Sequence, residues 1–272
     1  MQLNKMDEYI TNYETYDKTI VYSFTLGEGG IGDYIKFFSY LLCFCIKHKF
    51  KLKHFVTDAY ILNYIKLKEN GMYVTVADID KQKISKFSTP VSVEQLINID
   101  STKIYFICPF NLYNICSLSD ITIKLDDIFY FSTEIVDNSY KLTNCQDYIS
   151  VHVRLGDEFL ETDKKFIQSG GDKRNYNLEN ICRCIENNSD KKILLFCDNM
   201  SFKVMLKEKY QFINVTNGEI GHTSLFNTTK KQMLDAITEF YLLTKSQKIY
   251  AGSHSGFSQL AAKFNHSQIE SI

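Results

Sequence analysis

"TIVYSFTLGEGGIGDYIKFF", residues 19 to 38, runs from β-branched and aromatic residues through a glycine-rich turn into a second apolar stretch. It reads as a buried strand, a tight turn and a helix, because β-branched residues suit a pleated surface and glycine takes turn conformations freely. Residues 33 to 50 are apolar almost all round, with Asp33 in the first turn and Lys47, His48 and Lys49 in the last. That charge placement suits the dipole of a largely buried helix. Gly27, Gly29 and Gly32 also have the spacing of a dinucleotide-binding turn, and Asp58 follows the next strand-like stretch. A nicotinamide dehydrogenase is therefore one reading. Against it, Lys36 stands where such a turn wants a small residue, and Glu28 and Asp33 would face a pyrophosphate with like charge.

Outward from this unit, strand-like and helix-like stretches alternate. Further candidate strands are 51–57, 71–78, 103–110, 147–155, 191–198, 212–216 and 248–253. Candidate helices are 58–69, 93–99, 176–187, 200–209, 229–246 and 256–264. Alternation of this kind predicts an α/β protein with mostly parallel sheets. Residues 111 to 146 are the least regular, so a soft boundary is set near residue 145, giving halves 1–145 and 146–272. Two Rossmann-like halves facing a central cleft would bind ligand at the C-terminal ends of strands.

Composition narrows the function classes. Lys and Arg total 31 against 32 acids, so there is no basic field of the kind nucleic-acid binding needs. The longest apolar stretch, residues 34 to 46, is interrupted by Lys36 and falls short of the ~20 residues of a membrane span. The first residues have no apolar core of a signal peptide, and cysteines such as Cys43, Cys45 and Cys197 lie in apolar segments. A cytoplasmic protein with reduced thiols is the expectation. Asn187, Asn199, Asn214, Asn227 and Asn265 open glycosylation triplets that would matter only in a secreted chain. Cys182 and Cys184 lack a second pair at zinc-ligand spacing, so no metal is expected there.

Four stretches carry candidate chemistry. In "YISVHVRLGDEF", residues 148 to 159, His152 and Arg154 share one face of a strand, and Asp157 follows in the turn. A guanidinium at a strand end suits a phosphate; an Arg154–Asp157 ion pair with His152 in the core is the plainer alternative. In "IYAGSHSGFSQLAAKF", residues 249 to 264, a strand leads through Ser253, His254 and Ser255 into a helix starting near Gly256. Free N–H groups there, with the hydroxyls of Ser253, Ser255 and Ser258, suit an anion, although Ser255 is also an ordinary helix cap. His254 occupies the position where a hydrolase elbow needs serine. Asp198 ends "KKILLFCD", and Asp235 and Glu239 share a face of the helix after Thr229.

In this order, Gly30-Ile31-Gly32-Asp33, His152-Val153-Arg154, Asp198, Glu239 with Leu242 to Thr244, and Ser253 to Ser258 resemble the fucosyltransferase superfamily. The resemblance covers most of the second half and one loop of the first. It implies a GT-B fold, with acceptor on the first half and GDP-fucose on the second, and no metal or other cofactor. It places Gly30, Gly32, His152, Arg154, Asp198, Glu239, Ser253, His254, Ser255, Gly256, Phe257 and Ser258 around the donor. Arg154 would stabilise the departing diphosphate, and Asp33 would take the acceptor's proton. Asp157, Glu158, Glu161 and Asp163 compete for that last role. The chain departs from the family in having Leu155 where many members carry a second arginine, Asp33 for asparagine, and Glu239 for aspartate. "GIGD" is also similar to the loop of heptosyltransferases, which leaves another nucleotide-sugar open. Asp78-Ile79-Asp80 has the acid-x-acid pattern of a metal-dependent transferase, and a binding module without turnover is a further alternative.

Overall fold

The structure, a computed structural model, describes residues 5–144, 146–160, 173–219, 221–265 and 267–272. The chain forms two compact units: residues up to Leu62 with Leu67–Tyr130, and Asn63–Lys66 with Phe131–Ile272.

The first unit holds a sheet of β1 (Thr19–Tyr22), β2 (Lys51–Phe55), β3 (Tyr73–Val74), β4 (Ile84–Lys86) and β5 (Ile104–Ile107), in the order β3-β2-β1-β5-β4. Every neighbouring pair is parallel. After helix α1 (Lys5–Asn12), Tyr9 fastens the start of β2: its hydroxyl donates to Phe50 O at 2.8 Å and accepts from Leu52 N at 2.9 Å. Helix α2 (Ile31–His48) buries Tyr34, Ile35, Phe37, Phe38, Leu41 and Leu42. Each such side chain contributes roughly 1.5–3 kcal/mol by leaving water. His54 of β2 lies among the rings of Tyr22, Tyr34, Phe38 and Tyr73, at centroid distances of 5.5–5.7 Å.

The second unit repeats the architecture with β6 (Ile149–Val153), β7 (Ile193–Cys197), β8 (Asn214–Val215), β9 (Lys248–Ala251) and β10 (Gln268–Ser271), ordered β8-β7-β6-β9-β10. All pairs are again parallel, and β6 and β7 are buried along their whole length. Its helices are α3 (Thr133–Thr143), α4 (Leu178–Asn187), α5 (Met200–Lys209), α6 (Lys230–Lys245) and α7 (Gly256–Asn265). Val151 and Val153 enter a core with Ile181 and Ile185 of α4 and Phe202 and Leu206 of α5. His152, pointing the other way, meets Phe257 of α7. The sheet is thus covered on both faces. Its order reverses direction between β6 and β9, which creates a topological switch point.

Some local expectations give way. Residues 58–69 form only a short helical turn, Ile61–Tyr64, and then a strand, Ile65–Leu67. Apolar positions there fit either period, and Leu67 N and Lys68 N find acceptors in Tyr73 Oη at 2.7 Å and Ile128 O at 2.8 Å. The strand expected over 71–78 is cut to Tyr73–Val74 because Asp78 caps a 3₁₀ turn, accepting from Thr75 N and Oγ1. Edge strands β4 and β10 and helix α3 were not foreseen. α3 packs on α6, and it belongs to the second unit, which takes up the chain again at Phe131.

Candidate functional site

Three strand ends meet at the switch point of the second unit: β6 delivers Arg154, β7 delivers Asp198, and β9 delivers Ser253. The register sets this up, since His152 pairs with Ala251 on one side and Phe196 on the other. Asp198 Oδ1 accepts from Leu155 N at 2.7 Å, and its Oδ2 accepts from Gly156 N at 3.0 Å and Arg154 Nε at 3.2 Å. Arg154 N donates to Ser253 Oγ at 2.8 Å. One carboxylate and one hydroxyl thereby fix the turn that carries the guanidinium. Gly156 has φ 104°, a left-handed conformation that glycine takes without steric cost.

The guanidinium also donates from Nη2 to Asp157 Oδ1 at 2.7 Å. Asp157 meets His222 Nε2 at 3.5 Å, and His222 Nδ1 contacts the Ser224 hydroxyl. Arg154 and Asp157 are each about one-fifth exposed, so the ion pair opens to solvent at the sheet edge. The Arg154–Asp157 ion pair of the plainer alternative is therefore present. Glu158 pairs with Lys173 at 3.8 Å; Glu161 and Asp163 lie outside the described residues.

The 253–258 loop closes the other side. Ser255 Oγ accepts from Phe257 N at 3.3 Å, capping α7, and Ser258 Oγ donates to Ser255 O at 3.2 Å. Gly256 opens the helix, His254 is exposed, and the His254 carbonyl accepts from Arg174 Nη1 at 3.3 Å. Phe257 stacks on His152 with centroids 5.6 Å apart and packs against Phe240 at 5.0 Å. His152 is buried, its Nδ1 has no hydrogen-bond partner among the described residues, and desolvation pushes its pKa down to about 4. It is a neutral ring that holds the loop to the strand.

His54 of the first unit is likewise pushed down to about 4 by burial. Both rings take up a proton near 6.5 once unfolded, so the stability they supply is complete above that pH and is lost as pH falls toward 4. The loss reaches about 3 kcal/mol per ring. Denaturant midpoints at pH 7.5 and 4.5 are expected to differ less in His54→Phe and His152→Phe than in the wild type; equal pH dependence would refute this.

Glu239 is tied to the protein itself. Its Oε1 accepts from Lys203 Nζ at 2.7 Å and contacts the Thr216 hydroxyl; Lys203 is fully buried and also donates to Thr216 Oγ1 at 2.8 Å. Asp235 accepts from Glu219 N at 2.8 Å and pairs with Lys231. In the first unit, Asp33 Oδ2 accepts from Gly30 N at 3.0 Å at the head of α2. A Cβ on Gly29 would lie 2.6 Å from Asp33 Cβ, and Gly29 has φ 138°, so this turn requires glycine there. Gly30, at φ −95°, precedes the helix, and Gly32 lies in its first turn.

Asp78 and Asp80 cap successive 3₁₀ turns, Asp80 through Gln82 N at 3.1 Å. Among the described residues, no group of three or more His, Cys, Asp or Glu side chains could hold a metal ion. Cys182 and Cys184 pack in the core, and the described cysteines are free thiols. No helix among the described residues is long and apolar enough to cross a membrane.

The structure thus brings His152, Arg154, Asp198 and Ser253 to Ser258 together at one switch point, and sets Glu239 in a separate network with Lys203 and Thr216. Sequence reasoning passed over His222, Ser224, Arg174 and Lys203. Glycines at 218 and 221 precede His222 and were the available signal for a functional loop; a single lysine inside the α5 pattern gives none.

Two Rossmann-like units with parallel sheets define a distant fucosyltransferase-like GT-B fold. No family model matches the chain, and no curated protein does. Among solved structures, the chain is similar to NodZ α-1,6-fucosyltransferase co-crystallised with GDP, with a TM-score of 0.58, 14% identity, and 90% and 91% of the two chains covered. NodZ from Bradyrhizobium gives a TM-score of 0.57 at 14% identity over 90% and 92%. A point mutant of Arabidopsis thaliana FUT1 in complex with GDP matches with a TM-score of 0.56 at 9% identity, covering 98% of this chain and 74% of that one. POFUT1 in complex with GDP matches with a TM-score of 0.53 at 10% identity, covering 94% and 99%.

Proposed function

We propose that the protein is a glycosyltransferase that uses a GDP-sugar, with fucose as the sugar, and passes it without a metal to a hydroxyl of a glycan or glycoconjugate. The observation that carries this is the convergence of Arg154, Asp198 and Ser253 at the switch point of the second unit. The solved structures of like fold that contain GDP or GDP-fucose support the donor class.

In this reading the second unit binds the donor and the first unit the acceptor. Bond cleavage leaves negative charge on the departing diphosphate while the anomeric carbon becomes cationic, so stabilising that diphosphate is the main catalytic task. Arg154 serves it with a guanidinium already oriented by Asp157 and Asp198, and the 253–258 loop adds hydroxyl and N–H donors. Asp33, its carboxylate held by Gly30 N, accepts the proton of the attacking hydroxyl. Release of nucleoside diphosphate from GDP-fucose, GDP-mannose, UDP-glucose and an ADP-sugar tests the reading. Faster release from GDP-fucose, surviving EDTA, is expected; release confined to a UDP- or ADP-sugar would replace the donor assignment.

A further inference from the structure

We infer that Cys182 and Lys209 are an oxidative cross-linking site, at which a peroxide drives formation of a sulfur–nitrogen bond between α4 and α5. Lys209, the last residue of α5, donates from Nζ to Cys182 Sγ of α4 at 3.3 Å. Its Nζ also lies 5.0 Å from the centre of the Tyr210 ring, and the Tyr210 hydroxyl donates to Glu186 Oε1, one turn along α4 from Cys182. Cys182 is 9% exposed at the rim of the core, while Lys209 and Glu186 are exposed, so the polar side of this cluster opens to solvent.

A cation beside sulfur favours the thiolate, the form that attacks peroxide. Hydrogen bonds to Tyr210 and Cys182 hold the Lys209 amine above the ordinary lysine range, so it meets the sulfur as an ammonium. Burial instead pushes up the thiols of Cys45, Cys108, Cys116, Cys184 and Cys197. Among the described residues, no other cysteine sulfur accepts a hydrogen bond from a lysine.

The step balances within the pair and one peroxide. The thiolate attacks a peroxide oxygen and the O–O bond breaks; the hydroxide that leaves takes a proton from the ammonium, giving a sulfenic acid, a neutral amine and water. The amine nitrogen then attacks the sulfenic sulfur. The S–N bond forms, the S–O bond breaks, and the departing hydroxide takes an amine proton and leaves as water. Sulfur is oxidised, and both peroxide oxygens end in water.

The test treats the full chain with hydrogen peroxide and maps its peptides by mass spectrometry without reductant. The Cys182 peptide is expected to be joined to the Lys209 peptide, lighter than their sum by two hydrogens, and a thiol reductant should separate them. The linked protein should melt about 5–10 °C higher, because the bridge closes a loop in the unfolded chain. Lys209→Arg keeps a cation beside the sulfur but lacks the amine, so its Cys182 should stay unlinked and be trapped by dimedone. Melting curves of the untreated proteins control for folding. Wild type in which Cys182 stays reduced, or takes up dimedone or further oxygen without joining Lys209, would overturn the inference.

Discussion

Arg154→Ala is expected to lower kcat/KM for GDP-sugar turnover by about 10²–10³, the usual cost of removing one donor aimed at charge that develops in the transition state. The fold should survive. Asp198 keeps its bonds from Leu155 N and Gly156 N, and Arg154's own N–H to Ser253 is a backbone bond that the substitution leaves in place. What the variant loses is the cation between Asp157 and Asp198, so their like charges then repel any anion placed there. Arg154→Lys keeps the charge without the planar fork and should lie between the two. Initial rates of GDP release, read beside a melting curve, separate this outcome from simple unfolding. Turnover within a few-fold of wild type would remove Arg154 from the chemistry.

The largest stability effect belongs to Glu239. Glu239→Ala leaves Lys203, which has no exposed side-chain surface, with Thr216 as its remaining hydrogen-bond partner among the described residues. Breaking a buried ion pair on one side costs about 3–5 kcal/mol, a large share of the stability of an ordinary domain. The double variant Lys203→Met with Glu239→Leu should regain most of that loss, because apolar replacement of both partners removes the stranded charge. Urea unfolding at neutral pH measures both. A loss below about 1 kcal/mol in Glu239→Ala would show that the pair is not structurally important. Any effect of Glu239 on donor binding has to be read after this one, since its Oε1 already contacts Lys203 and Thr216.

The second unit was the more legible half. The alternating stretch at 149–153 and the continuous apolar run at 193–197 read directly as strands of a parallel sheet, and the residues just after them, Arg154 and Asp198, stood out as polar groups at strand ends. The Ser253–Ser258 stretch was legible because small polar residues between a strand and an apolar helix make a recognisable cap. Spatial partnerships were not legible. Asp198 acts on Leu155 and Gly156 across β6 and β7, and Lys203 meets Glu239 between two helices, contacts that no local period encodes. Nor was the local partner of Asp33 legible: its Oδ2 accepts from Gly30 N at the helix start. Helix α3, "TEIVDNSYKLT", has too few apolar positions to announce itself; of its residues only Ile135, Ser139 and Thr143 are buried. Edge strands β4 and β10 are short and have no buried residue, so they lack the apolar pattern that marked β6 and β7.

The most direct test is the melting temperature of wild type and Arg154→Ala with GDP, UDP, ADP and NAD in EDTA. A ligand bound only by the folded state adds about 2.7 kcal/mol of stability at a hundred times its Kd. GDP is expected to stabilise the wild type more than the other nucleotides, and that increment should vanish in Arg154→Ala. Stabilisation by NAD alone, or by GDP equally in both proteins, would contradict a donor site built on Arg154.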